Sequence, residues 1–311
     1  MDDVIVYHKT VPNLKNQEKI DVLEFFSQGV KRNNTTCIDS RDYIYHKSKV
    51  GVIQGWVHEL SSSAPHIKLR NSVINGQHVT NNYTVAIDSN LFLYKDTKNP
   101  LHYLRYSFNG VFPTIGIYCD SNIDPTRWAK ISKNLNLQLK DYRITGDHIL
   151  LCLQRNGGWS MGTYDVQDWS LSTITEIRKY SDRKIILRGH PGDKSARQYL
   201  DPTHPLCKLK GFKNVEFSSN GSSLLDDLKN AWAVVNHNSS PVVGAAIEGF
   251  PIFVTDPNKS QCKDIANTNL ADIENPKLYN REGWVQRISM SHWNFDELKS
   301  GECWAHMKNF I

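Results

Sequence analysis

Short apolar runs alternate with amphipathic stretches along the chain, and the alternation starts over once. In the first half, Asp3 to Tyr7, Val50 to Ile53, Tyr83 to Ile87 and Thr114 to Tyr118 read as strands. Gln17 to Val30 carries apolar residues at Ile20, Leu23, Phe26 and Val30, a helical period. Pro125 to Asn134 has similar spacing around Trp128 and Ile131, with proline in the first turn, where its missing N–H is harmless.

The second half is more regular. His148 to Leu153, Lys184 to Arg188, Val215 to Phe217, Ala231 to Val235 and Pro251 to Thr255 are apolar runs of buried-strand type. Helical segments at Val166–Tyr180, Ser223–Asn230 and Val242–Glu248 lie among them. Strands that alternate with helices of this length predict a parallel sheet with helices on both faces. The restart places a domain boundary near Tyr142–Gly146, hence domains 1–145 and 146–283. The closing segment 284–311 carries Trp293, Phe295, Leu298, Trp304, Met307 and Phe310 at helix-like spacing and is expected to dock on the first domain.

The length of 311 residues fits two domains of the usual size of about 100–200 residues each. A composition of 39% hydrophobic and 22% charged residues is that of a globular protein. No stretch approaches the roughly 18 uninterrupted apolar residues of a membrane span. The opening MDDVIVYHKT is acidic and runs into a strand pattern, unlike a signal peptide, so a cytoplasmic protein is expected. The six cysteines form no CxxC pair and the twelve histidines no HExxH, which predicts reduced thiols and no metal site. Charge is uneven: there are 18 basic against 13 acidic residues up to Thr145, and 19 against 19 after it. A positive excess confined to the first half is compatible with a polyanionic partner there, and equally with a solvated surface.

In open parallel sheets, ligands bind beyond the carboxyl ends of the strands. Three polar or glycine-bearing loops of the second half fall at such ends: Gln154–Ser160, Arg188–Asp193 and Asn236–Pro241. Ser239 and Ser240 precede Pro241 as helix-capping hydroxyls, and a helix start attracts phosphate. Glu248 closes the same helix, where the dipole disfavours a carboxylate, so a partner for it is expected.

The run S-S-P-x-x-x-x-A-x-E-G-x-P, Ser239 to Pro251, resembles the nucleotide-sugar-binding segment of GT-B glycosyltransferases. Arg188-Gly-His-Pro191 is similar to the R-x-H-P of capsular-polysaccharide and Kdo-type transferases of that fold. The resemblance spans about Ile149 to Thr255 and implies an α/β, GT-B-like architecture of two Rossmann-like domains with parallel sheets facing a central cleft. It implies Glu248 on the ribose, Ser239 and Ser240 (with Asn238 in the same loop) near the phosphates, and Arg188 and His190 beside the diphosphate or leaving group. Gln154, Arg155 and Ser160 follow the first strand of the second domain, where this fold places a phosphate-touching loop. No DxD motif stands at a strand end, so Arg155 is expected to supply the charge a metal supplies elsewhere.

Glycosyl transfer also needs a base for the acceptor hydroxyl and help for the departing phosphate. Base candidates at expected strand ends are Asp120, ranked first, Asp88, and Glu59 or His58. The donor is expected to be a UDP-sugar, or alternatively a CMP-sugar, with no further cofactor. Basic residues Lys31, Arg32, Arg41, Lys47, Lys49, Lys68 and Arg70 are interleaved with Tyr43, Tyr45 and Trp56. Cations that neutralise phosphates and rings that replace an extruded base suit a DNA acceptor. The chain therefore resembles phage enzymes that add glucose or arabinose to hydroxylated cytosines in double-stranded DNA. Synthesis of a surface polysaccharide is the alternative, and a non-catalytic nucleotide-sugar or DNA-binding module is another. An NAD-dependent reading would want GxGxxG after the first strand, which neither half supplies.

Overall fold

The structure is a computed structural model that describes residues 3–11, 17–56, 62–95, 99–162 and 164–311, with the backbone alone for Trp159. The chain divides into two compact units. The first comprises Met1–Asn90, Lys98–Asn134 and Gln286–Ile311; the second comprises Leu91–Thr97 and Leu135–Val285. Among the described residues, no helix is long and apolar enough to cross a membrane.

In the first unit, β1 (Val4–Tyr7), α1 (Gln17–Arg32), β2 (Cys37–Ser40), β3 (Val50–Gln54), α2 (Pro65–Val79), β4 (Tyr83–Asp88), β5 (Leu104–Phe108) and α3 (Pro125–Asn134) follow in order. β1 pairs parallel with β2 on one side and β3 on the other, and β3 pairs parallel with β4. β5 returns antiparallel to β4. β1 is buried along its whole length, which explains its unbroken apolar run. The expected strand at Thr114–Tyr118 is not formed: the segment turns at Phe112–Gly116 and touches the sheet only through an isolated bridge of Ile117 to Phe108.

The second unit holds β6 (His148–Cys152), α4 (Val166–Ile177), β7 (Lys184–Arg188), α5 (Ala196–Leu200), β8 (Val215–Phe217), α6 (Leu224–Leu228), β9 (Ala231–Asn236), α7 (Pro241–Ile247) and β10 (Ile252–Val254). These five strands are all parallel, in the order β10-β9-β6-β7-β8. Ile149, Leu151, Ile185, Leu187, Ala233 and Val235 form its core with Val166, Ile174 and Ile177 of α4. The unit begins at Leu135, ahead of the expected restart, because Lys140 and Arg143 donate backbone hydrogen bonds to Ile247 and Gly249 at the end of α7.

The closing segment is not one helix. α8 (Glu282–Ser289) is followed by β11 (His292–Trp293), α9 (Phe295–Ser300) and α10 (Glu302–Met307). β11 joins the first sheet antiparallel to β5, and Leu298, Cys303, Trp304 and Met307 enter the same core as Phe26 of α1. Gly29 lets α9 approach α1 closely, since a Cβ there would lie 2.1 Å from the Leu298 carbonyl oxygen.

β11 carries a titratable group into this core. His292 is fully buried, with Nδ1 on the Ile288 carbonyl at 2.8 Å, and burial lowers its pKa to about 3. The unfolded imidazole protonates near pH 6.5. Between pH 6.5 and about 3 the unfolded chain therefore binds more protons, and stability falls as pH falls through that window. At about 1.4 kcal/mol per unit this amounts to several kcal/mol. His292→Asn keeps a donor without the titration, so its urea-unfolding free energy should decline less steeply between pH 7 and 4 than that of wild type; parallel profiles would refute the assignment.

Candidate functional site

In the second sheet the crossovers change direction between β6 and β9, so the loops leaving these two strands run apart. Gln154 and Asn238 meet there. The Gln154 Nε2 donates to Ser160 Oγ at 2.6 Å and to Asn238 Oδ1 at 2.7 Å. Asn238 Nδ2 donates to the Ser160 carbonyl and to Asp256 Oδ2, each at 3.0 Å. A carbonyl and a carboxylate accept only, which fixes the Asn238 amide and, through its oxygen, the Gln154 amide. Among the described residues, Gln154 Oε1 is thereby left buried without a partner, as is Asn236 Oδ1, while Asn236 Nδ2 donates to Ser239 O and Oγ. His237 Nδ1 meets Thr255 Oγ1 at 2.7 Å between the rings of Tyr164 and Trp169, and burial pushes its pKa down.

Beside this cluster, the turn after β7 and the loop Phe217–Ser222 after β8 enclose a groove of about 360 Å³. Arg188 lines it and, among the described residues, its guanidinium hydrogen-bonds through Nη1 alone, to Asp227 and to the Ser222 carbonyl. His190 accepts the Gly192 N–H on Nδ1 at 2.9 Å, which places the neutral ring's proton on Nε2. Burial and the nearby Arg155 guanidinium lower its pKa, against the pull of Asp193. Lys194 is exposed and makes no ion pair among the described residues. Asp193 accepts from the Asn156 N–H at 3.1 Å and from the Tyr199 hydroxyl, tying this turn to the loop after β6.

Glu248 caps α7 and is 4% exposed. Within the protein, Tyr94 donates to its Oε1 at 2.8 Å and the Lys140 ammonium sits on Oε2, with Lys95 at 3.9 Å. Two cations answer both the carboxylate and the negative end of the helix dipole. Ser239 and Ser240 do not make the capping hydrogen bonds expected of them. Ser240 has helical dihedrals and makes no side-chain capping bond, Ser239 Oγ serves Asn236, and Pro241 removes one orphan N–H from the helix start.

The first-half candidates are dispersed. Asp88 ends β4 and is ion-paired with Arg105 at 2.5 Å. Asp120 is half-buried in a loop after Cys119, whose φ is 57°, rather than at a strand end. Glu59 and His58 lie outside the described residues. Of the basic cluster, Lys31, Arg32, Arg41, Lys47, Lys49 and Lys68 are exposed, as is Tyr43, whereas Arg70 is buried. His8, Glu24 and Asp39 offer ligand atoms within 4.8 Å of one another. Lys31 on Asp39 at 2.6 Å and Arg41 on Glu24 at 2.5 Å already supply the cations, so this is an ion-pair network.

Thr255 and Asp256 were not singled out in the sequence, nor was His237 within its loop; they stand just past the ends of β10 and β9, and strand-end position was the available signal. Asn238→Ala would strip acceptor or donor from Gln154, Ser160 and Asp256 inside the cluster. A loss of about 1–3 kcal/mol in urea unfolding is expected; an unchanged midpoint and slope would show that the cluster does not hold the loops.

No family model matches the chain, and no curated protein matches it in sequence. Among solved structures it is similar to the KpsC beta Kdo 2,4 transferase of Thermosulfurimonas dismutans, with TM-score 0.50, 11% identity, and 96% of this chain and 98% of that one covered. The beta Kdo 2,7 transferase of the same KpsC gives TM-score 0.50, 12% identity and the same coverage. UDP-GlcNAc 2-epimerase of Methanocaldococcus jannaschii, in complex with UDP-GlcNAc and UDP, follows at TM-score 0.37, 12% identity and 99% of each chain. The likeness to the two Kdo transferases shows the fold: α/β, with two Rossmann-like domains of the GT-B type.

Proposed function

We propose that this protein is a nucleotide-sugar-dependent glycosyltransferase whose donor site is the switch point of the second sheet. The observation that carries the reading is the meeting of Gln154, Ser160 and Asn238, from two loops, where that sheet changes direction. Arg155, Arg188 and His190 are assigned to the phosphates, with Ser239 and Ser240 near them and Glu248 on the ribose. In the transfer, the acceptor oxygen bonds to the anomeric carbon while the bond from that carbon to the phosphate oxygen breaks. The nucleotide leaves with the electron pair, which the cationic side chains and the His190 Nε2–H stabilise. A base takes the acceptor proton; Asp120 is proposed ahead of Asp88, which Arg105 already holds.

A DNA acceptor with hydroxylated cytosine is supported by the exposed cations Arg41, Lys47 and Lys49 and the exposed Tyr43. Assembly of an acidic surface polysaccharide is supported by full-length likeness in fold to two Kdo transferases.

The test is mass spectrometry of the purified protein with UDP-glucose, UDP-arabinose and CMP-sugars, each with hydroxylated and unmodified DNA and with oligosaccharide acceptors. A gain of one sugar on hydroxylated DNA alone selects the first acceptor; a gain on an oligosaccharide selects the second. No binding or turnover of any nucleotide sugar would sink the transferase reading. In parallel, Glu248→Gln keeps a hydrogen-bonding group beside Tyr94, so the chain should fold while donor affinity drops about tenfold, or roughly 1.4 kcal/mol, by titration calorimetry. Undiminished affinity would remove Glu248 from the site.

A further inference from the structure

A second switch point lies in the first sheet, between β1 and β3, where one crossover leads to β2 and the other to β4. The loops leaving these two strands are pinned together. Thr10, after β1, donates its hydroxyl to Tyr7 O at 2.7 Å and accepts the Gln54 N–H at 3.1 Å at the end of β3. Arg70, from α2, reaches into this junction and places Nε and Nη2 on the Thr10 carbonyl at 3.0 and 2.6 Å.

Arg70 is 9% exposed and makes no ion pair among the described residues. Burial lowers its pKa to about 10, against the distant pull of Asp88, so it stays charged at neutral pH. Asp88 cannot serve as counter-ion while Arg105 holds it at 2.5 Å. His66, one turn earlier on α2, is no anion, and its own pKa is lowered by burial and by Arg70. Burying a cation without a counter-charge is costly.

Two other arginines without a carboxylate show how this fold compensates such a charge. Arg178 spreads over the carbonyls of Ser181, Arg183, Lys213 and Asn214. Arg281 binds the carbonyls of Ala246 and Lys140 and stacks at 3.8 Å on Tyr142. Arg70 has one carbonyl, and its Nη1 has no acceptor among the described residues. Gly55 makes room for it: φ is +79°, and a Cβ would stand 3.2 Å from Nη1. The junction thus holds a guanidinium with a free arm at the edge of the sheet where open α/β folds take ligands.

We propose that Arg70 anchors a second binding site, at the β1/β3 switch point, for an oxyanion of a substrate, a phosphate or a carboxylate. The planar guanidinium suits either group, since each offers oxygens at the spacing of its N–H arms. The site lies within the first unit and stands apart from the donor-site reading.

The experiment is hydrogen–deuterium exchange of the wild-type protein, without nucleotide sugar, in inorganic phosphate, sodium acetate or sodium chloride at equal ionic strength. Residues 8–11 and 54–56 should exchange at least threefold more slowly in phosphate or in acetate than in chloride, and the more effective anion names the substrate group. Equal exchange in all three salts overturns the proposal. Arg70→Met should abolish the difference, and Arg70→Lys, with its charge but no fork, should need about tenfold more anion. A difference that survives in Arg70→Met at full size also overturns it. Should that variant fail to fold, the wild-type comparison and Arg70→Lys still decide.

Discussion

The reversal of crossover direction between β6 and β9 is the constraint on which the second unit's chemistry depends. A parallel sheet sends every strand's carboxyl end to one edge, and covering helices close that edge except where adjacent crossovers part. The polar backbone exposed at the parting has no strand to pair with. This chain fills the place with carboxamides rather than charges. Asn and Gln each carry donor and acceptor on one planar group, so Gln154 and Asn238 bridge loops that no backbone ladder connects. The same choice leaves two buried carbonyl oxygens, Gln154 Oε1 and Asn236 Oδ1, without a partner among the described residues.

Charges elsewhere obey the rule that a buried ion is paired. Glu297 is held by Arg127 at 2.6 Å and Lys130 at 2.7 Å, while the Arg127 guanidinium lies 3.8 Å over the Trp293 ring. Those contacts hold its carboxyl below the usual range, so this core contact remains ionised at ordinary pH. Asp227 faces Arg188 and accepts from Ser218. Arg70 gains its interest from this background, because the same molecule matches its other buried charges with carboxylates, several carbonyls or a ring face.

The sequence was most readable where burial was uniform. β6 and β9 are buried on both faces and read as unbroken apolar runs, and the loops after them could be found because the strands were. Where the buried face is partly polar, periodicity failed. α2 buries Arg70 and Gln77 alongside Leu69 and Val73, so its inward face does not look apolar. β2 is Cys-Ile-Asp-Ser and β5 buries an arginine, and neither reads as a strand. Thr114–Tyr118 has strand composition but turns back on itself, with Gly116 packed so closely that a Cβ would meet Gly110 O at 2.5 Å. The apolar spacing after Trp284 reports a buried face correctly. It concealed two breaks, the Asn294 cap and Gly301 at φ +88°.

Glu248 shows how a sound inference can reach an incomplete answer. A carboxylate at a helix carboxyl end calls for a partner, and the residues alone could not say whether that partner was ligand or protein. Lys140 and Tyr94 come from segments far away in sequence that lie against the end of α7; Gly244 admits the Tyr94 ring, where a Cβ would meet it at 2.5 Å. These contacts do not use up the group. A carboxylate offers about four lone-pair sites, and the tyrosine hydroxyl and the lysine engage one on each oxygen. A ribose diol brings two donors. The protein contacts hold the carboxylate in one orientation and leave lone pairs on it for a diol, the role proposed for it.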